Sequence, residues 1–323
     1  MKHRFSTLIL PPIIFLFLSA LPVSAQTNAP ASSGASPANP LQVALLKWYR
    51  AGLTASFAVG AQPYGVCFDG QNIWVANSEA STVTELRAND GQTLGTFAVG
   101  SQPFGVTFDG ANVWVSNNFD NTVTKLRASD GKNLGTFAVG KGPWFMAFDG
   151  ANIWVPNGTD NTVTKLQASD GKVLGTFSVG SGPIAAAFDG ANVWVTNYGS
   201  GTVSKLLASN GTVVGTYAAG LQPLGIAFDG TNIWIAERGS FAAAKIRASD
   251  GVTLGTFPTA ASPYGIAFDG SNIWVTGSIA VQELQLSDGV VLGNYGLRDT
   301  AGIAFDGANI WVANTFENLV NKL

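Results

Sequence analysis

The tripeptide Phe-Asp-Gly recurs seven times in this chain. It begins at Phe68, Phe108, Phe148, Phe188, Phe228, Phe268 and Phe305, with steps of 40, 40, 40, 40, 40 and 37 residues. A tryptophan follows each of these Phe residues by six positions: Trp74, Trp114, Trp154, Trp194, Trp234, Trp274 and Trp311. A fixed period of this length means one supersecondary unit copied along the chain, unable to bury its apolar faces alone and stabilised by its neighbours. Within one unit, β-branched and aromatic residues fill four short runs: strand a at 105–108, b at 113–116, c at 122–127 and d at 134–139. The a–b turn is Asp109-Gly110-Ala111-Asn112 and the c–d turn is Ser129-Asp130-Gly131-Lys132. Gly there accepts a positive φ, and Asp or Asn bonds to its own turn backbone. In strand c, Val123 and Leu126 stand three apart, which breaks strict alternation and predicts a bulge.

A four-stranded antiparallel meander of about 40 residues is a propeller blade. The expected fold is therefore all-β, a seven-bladed β-propeller of four-stranded blades spanning 53–323. Seven a–b turns are present but only six c–d turns, at Asp90, Asp130, Asp170, Asn210, Asp250 and Asp288. The last unit stops at strand c, whereas the first is preceded by an orphan strand d at 53–60. The N-terminal strand should therefore complete the last blade and leave no gap in the ring.

Upstream of the repeats, Lys2, His3 and Arg4 precede an apolar stretch, and Val23-Ser24-Ala25 supplies a small-x-small cleavage pattern. Residues 1–25 read as a signal peptide, with an uncleaved anchor as the alternative. The apolar run is short and broken by Pro11 and Pro12, a poor membrane span. The expected location is secreted, periplasmic or at the cell surface. Residues 26–39 read as a disordered linker, and 40–52 as a short helix capped by Asn39 and stopped by Gly52. That helix would pack on the propeller, or alternatively dock on a partner or membrane.

Removal of the signal leaves 15 basic against 20 acidic residues and takes away His3, the only histidine. The acidic balance argues against a nucleic-acid partner. Without histidine there is no Ser-His-Asp triad and no His-ligated metal site. Cys67 is the single cysteine, so no internal disulfide forms; it reads as a small buried residue. No cofactor, metal or catalytic residue is expected, and the chain reads as a monomer.

The run Pro103-Phe104-Gly105-Val106, Phe108-Asp109-Gly110, then Val113-Trp114-Val115 and Asn117, resembles the YVTN family of β-propeller repeats. Ile73-Trp74-Val75-Ala76-Asn77 stands where that family carries Tyr-Val-Thr-Asn. The resemblance covers 53–323 and implies exported binding or cell-surface proteins. The scaffold is also similar to streptogramin (virginiamycin B) lyases, whose chemistry uses a histidine and magnesium. The mature chain has no residue to carry that histidine's role.

The repeated residues have a structural reading. Seven Asp in the a–b turns and five in the c–d turns serve the turns, although such a ring of carboxylates is chemically able to bind cations. The seven Trp pack between blades, with carbohydrate stacking as the alternative. Function is sought where the repeat is broken, on the face of the d–a and b–c loops. After the loop Pro stand Tyr64, Phe104, Trp144, Ile184, Leu224 and Tyr264, and blade three adds Phe145 where five other blades carry Gly. The b–c loops bring Phe119, Tyr198, Phe241 and Phe316, and in blade five Glu237 replaces the recurrent Asn of strand b, followed by Arg238. Six acids (Glu79, Asp120, Asp160, Glu237, Asp299, Glu317) share this face with Lys141, Arg238 and Arg298. The expected ligand-binding residues are Tyr64, Phe104, Trp144, Tyr264, Glu237 and Arg238, near the central channel, with an unidentified protein, peptide or glycan as partner. Convergence of the loop acids would instead point to a carboxylate-ligated, metal-dependent lyase or hydrolase. An envelope-layer role, and ordinary drift of solvated loops, are the remaining readings.

Overall fold

The structure is a computed structural model that describes residues 54–323. The expected signal peptide, linker and helix, together with Leu53, lie outside the described residues. Among these residues, no helix is long and apolar enough to cross a membrane. The chain forms seven four-stranded antiparallel sheets. Blade 2 is representative: strand a Pro103–Phe108, b Asn112–Asn117, c Thr122–Arg127 and d Asn133–Ala138. Strands a, b and d begin one or two residues earlier than expected, and strand c falls where expected.

The first strand, Ala55–Ala58, pairs antiparallel with Leu319–Lys322, in register from Ala55↔Lys322 to Ala58↔Leu319. It is the outer strand of the sheet whose other members are Thr300–Phe305, Ile310–Asn314 and Leu319–Lys322. The inner a strands contact one another from blade to blade, and those of blades 7 and 1 meet to close the circle.

The propeller has no single core. Among the described residues the apolar side chains form eight clusters, one at each of the seven blade–blade interfaces and one at the channel mouth. Trp74 and Val83 of blade 1, for example, pack on Val113, Val115 and Leu126 of blade 2. Trp114 and Val123 of blade 2 pack on Ile153, Val155 and Leu166 of blade 3. This explains the failed alternation in strand c. Val123 faces blade 3, Leu126 faces blade 1, and neither has any solvent exposure. Both faces of the sheet are interior, so the middle strands read as near-continuous buried runs. A register shift does occur between Lys125 and Leu126, but the extra residue is Leu134 on strand d. Bulging at the outer rim leaves Leu134 exposed.

Each blade Trp is buried, and its indole Nε1 donates to the Asp of its own a–b turn, as from Trp154 to Asp149 Oδ2 at 2.7 Å. The same Asp accepts the backbone N–H groups of Ala151 (2.9 Å) and Asn152 (2.7 Å) through Oδ1. Burial acts to raise the Asp149 carboxyl. The hydrogen bonds from Trp154, Asn152 and the turn backbone outweigh it and hold the group below its ordinary value. The repeated Asp thus has two structural tasks, closing the turn and anchoring the Trp.

Candidate functional site

The aromatic positions after the loop Pro stand at the inner ends of the a strands, which abut around the axis. Close approach there depends on a small residue in the next position, Gly in five blades and Ala185 in blade 4. A Cβ on Gly105 would lie 2.5 Å from the Trp144 carbonyl oxygen, and one on Gly225 would lie 2.6 Å from that of Tyr264. Blade 3 has Phe145 at this position, and its strand a shrinks to Ala147–Phe148. The freed backbone turns to blade 4 instead. Phe145 N donates to Ile184 O at 2.9 Å, and Phe145 O accepts from Ala186 N at 3.1 Å. The Phe145 side chain lines the axial cavity.

Five rings follow one another around the channel mouth in a closed circuit. Tyr64 meets Phe104 edge-on at 4.7 Å between centroids, and Phe104 stacks on Trp144 at 4.4 Å. Trp144 to Phe145, Phe145 to Tyr264 and Tyr264 to Tyr64 are each 6.1 Å. These spacings lie within the range where aromatic pairs attract. Blade 4 continues the rim with Ile184, and blade 5 with Leu224, both buried against Trp144, Phe145, Tyr198 and Tyr264. The five residues of the circuit are half-buried, with the Tyr264 phenol the most withdrawn from water. Beside them lies a cavity of about 150 Å³, lined by residues from all seven blades whose side chains are apolar except for that of Tyr264, with main-chain polar atoms between them. Burial, and then proximity to Tyr64, push the Tyr264 phenol far above its ordinary value. Arg238 pulls the other way and Tyr198 adds to the rise.

The structure therefore brings Tyr64, Phe104, Trp144 and Tyr264 together, with Arg238 exposed nearby and electrostatically coupled to Tyr264. Glu237 does not join them on the surface: it is only 4% exposed. In a sister blade, Asn117 Nδ2 donates to Thr122 Oγ1 (3.0 Å) and Thr124 Oγ1 (2.8 Å), while Oδ1 accepts Gly100 N (3.0 Å). In blade 5 the Asn has become Glu237 and the two Thr have become Ala242 and Ala244. A single side-chain donor remains, Ser240. Burial raises the Glu237 carboxyl above its ordinary value, and the Ser240 hydrogen bond works the other way. The expectation of Glu237 as a ligand-binding residue on the loop face is corrected accordingly, since its carboxyl is withdrawn from the surface.

The other loop acids are dispersed. Asp120 Oδ2 accepts Ser101 N at 2.7 Å, Asp160 Oδ2 accepts Lys141 N at 2.7 Å, and Glu317 exchanges hydrogen bonds with Asn314. Among the described residues, no three His, Cys, Asp or Glu side chains come together as metal ligands. Further out on this face, Phe119, Phe241 and Phe316 are more than half exposed on the b–c loops. Cys67 lies on strand a opposite Trp74 and is half-buried. Burial and then Asp69 push its thiol far above the ordinary range, so it is a poor nucleophile.

No family model matches the chain, and no curated protein matches it; the YVTN-type resemblance rests on the residues quoted for it. Solved structures do match. A streptogramin B lyase is 20% identical with a TM-score of 0.72, over 83% of this chain and 96% of that one. Virginiamycin B lyase from Staphylococcus aureus is 20% identical with a TM-score of 0.71, over 83% and 98%. Hydrazine synthase from Kuenenia stuttgartiensis is 18% identical with a TM-score of 0.72, over 82% and 97%. At these identities the likeness is one of fold, and what the chain shares with all three is the propeller.

Proposed function

We propose that this protein is an exported binding module, with its ligand seated on the d–a/b–c loop face over the aromatic circuit. The observation that carries this reading is the closed ring of Tyr64, Phe104, Trp144, Phe145 and Tyr264 beside the axial cavity. Aromatic anchors beside an exposed Arg are the composition of a binding hot spot. Phe119, Phe241 and Phe316 add single exposed apolar side chains on the b–c loops of blades 2, 5 and 7 of the same face. Five exposed acids against Lys141, Arg238 and Arg298 keep the face mildly negative, which suits a neutral or cationic protein, peptide or glycan. Titration of peptide and oligosaccharide panels against intrinsic fluorescence tests the reading. The expected result is saturable binding that Trp144→Ala weakens at least tenfold while the melting temperature stays within a few degrees. Binding that survives Trp144→Ala and Phe104→Ala, yet is lost on changes in the Asp-Gly turns, would place the ligand on the other face.

A further inference from the structure

The opposite face carries a second departure from seven-fold sameness. In five blades, strand c holds a lysine whose ammonium crosses to the next c–d turn. Lys125 Nζ donates to Ala168 O (2.7 Å) and Ser169 O (3.0 Å), Lys165 to Ala208 O (2.6 Å), Lys205 to Ala248 O (2.7 Å) and Lys245 to Leu286 O (2.7 Å). Lys322 reaches Ala88 O at 2.8 Å in the same way. Each sister turn therefore presents a carbonyl pocket that holds a primary ammonium.

Blade 1 has Glu85 at this position. The pocket it faces is intact: Ala128 O and Ser129 O occupy the places of Ala168 O and Ser169 O, and no described residue donates to them. Glu is one bond shorter than Lys, so the volume of the ammonium is left open. The groove there, bounded by Asp69, Asn72, Glu85, Ala128 and Ser129, measures about 1110 Å³. Its counterpart between blades 2 and 3, where Lys125 is present, measures about 680 Å³. Glu85 is 7% exposed, and its Oε1 accepts Asn72 Nδ2 at 2.8 Å. The other oxygen, Oε2, has no hydrogen-bond partner among the described residues. A largely buried carboxylate whose free oxygen opens on a groove lined by unpaired carbonyl oxygens gathers partial negative charge that a cation offsets.

We propose that the groove between blades 1 and 2 binds a primary ammonium supplied from outside the chain, held by Glu85, Asp69 and the Ala128 and Ser129 carbonyl oxygens. A primary ammonium has three N–H donors for this set of acceptors. A metal ion fits less well, because Glu85 and Asp69 are not joined by a third ligating side chain. Binding needs the ionised carboxylate. Burial, and then the charge of Asp69, push Glu85 up to about 7, against the hydrogen bond from Asn72. Arg127 and Asp130 also line the groove but neutralise each other as an ion pair at 3.5 Å. An alkylammonium stays charged through neutrality, so affinity should rise between pH 6 and pH 8.

Calorimetric titration of the whole protein with n-butylamine, and separately with a lysine-containing tripeptide blocked at both ends, tests this. Saturable binding of either probe at pH 8 is expected, at least tenfold weaker at pH 6 and in Glu85→Gln. Glu85→Lys, which restores the sister-blade arrangement, should fold normally and abolish it. Trp144→Ala should leave amine binding unchanged, which separates this site from the aromatic circuit. Binding of the peptide alone identifies a protein side chain as the source, and binding of butylamine identifies free amines. No binding of either probe at 50 mM, equal binding of tetramethylammonium, or binding unchanged in both Glu85 variants would overturn the proposal.

Discussion

At the scale of the residue, the indole–carboxylate pair is the unit of stability. Trp154 fills an inter-blade cluster and also donates to Asp149, so its loss empties an aromatic site and removes one of the hydrogen bonds to a half-buried carboxylate, whose Oδ2 keeps only Asn152 Nδ2 at 3.0 Å. Trp154→Ala should lower stability by about 3–5 kcal/mol. Trp154→Phe, which keeps much of the volume and loses the N–H, should cost about 1–3 kcal/mol; urea unfolding measures both. Glu85 gives a pH dependence of opposite origin. Its carboxyl rises on folding to about 7, so the native state binds the extra proton and this contribution to stability is lost as pH rises from about 4.5 to 7. Water in the open groove discounts the full conversion, leaving on the order of 2 kcal/mol. In amine-free buffer, Glu85→Gln should therefore be more stable than the parent at pH 8 and about equal at pH 4.5. An unchanged difference across that range would contradict the assignment.

At the scale of the element, strand a is where the blades differ most in consequence. Gly105 lets the blade 2 strand lie against the blade 3 backbone, and the atoms a Cβ would meet are a main-chain carbonyl and Cα. Neither swings aside as a side chain would, so Gly105→Ala should destabilise by about 1–3 kcal/mol and disturb the Phe104–Trp144 stack. Ala185 of blade 4 keeps a full strand, whereas Phe145 shows what a large side chain does at this position: strand pairing is given up over most of the strand, and a ring is placed in the axial cavity. The extra aromatic is visible in Pro143-Trp144-Phe145-Met146. Its effect on pairing is not, because the requirement for a small residue comes from the neighbouring blade. Strand c carries the same lesson. Val123 and Leu126 look like a fault in alternation, and become ordinary once both faces are known to be buried.

At the scale of the whole molecule, one join between distant parts of the chain completes the seventh blade. Ala55–Ala58 covers the edge of Leu319–Lys322, and Phe57 stacks on Trp311 at 5.5 Å between ring centroids. A truncated protein beginning at Gln62 would expose that edge and part of the cluster between blades 7 and 1. The expected outcome is a drop of at least ten degrees in melting temperature, with aggregation seen by light scattering; melting like that of the full chain would show the join to be dispensable.

The period of the Phe-Asp-Gly and Trp positions was enough to fix the number of blades, their four strands and the burial of the Trp residues. Each of those follows from local turn chemistry and from a unit too small to bury its own faces. The aromatic residues after the loop Pro were visible as departures from the repeat. Their closure into one circuit, and the withdrawal of Glu237 beneath the surface, were decided only in three dimensions. Ring contacts such as Tyr64 to Tyr264 span 200 residues, and the Glu237 environment depends on Ala242 and Ala244 across a strand pair. The lysine pockets are of the same kind, since Lys125 meets carbonyls 43 and 44 residues away. A repeat aligns equivalent positions along the chain, but its contacts join position i of one blade to a different position of the next, and only the closed ring brings those two together.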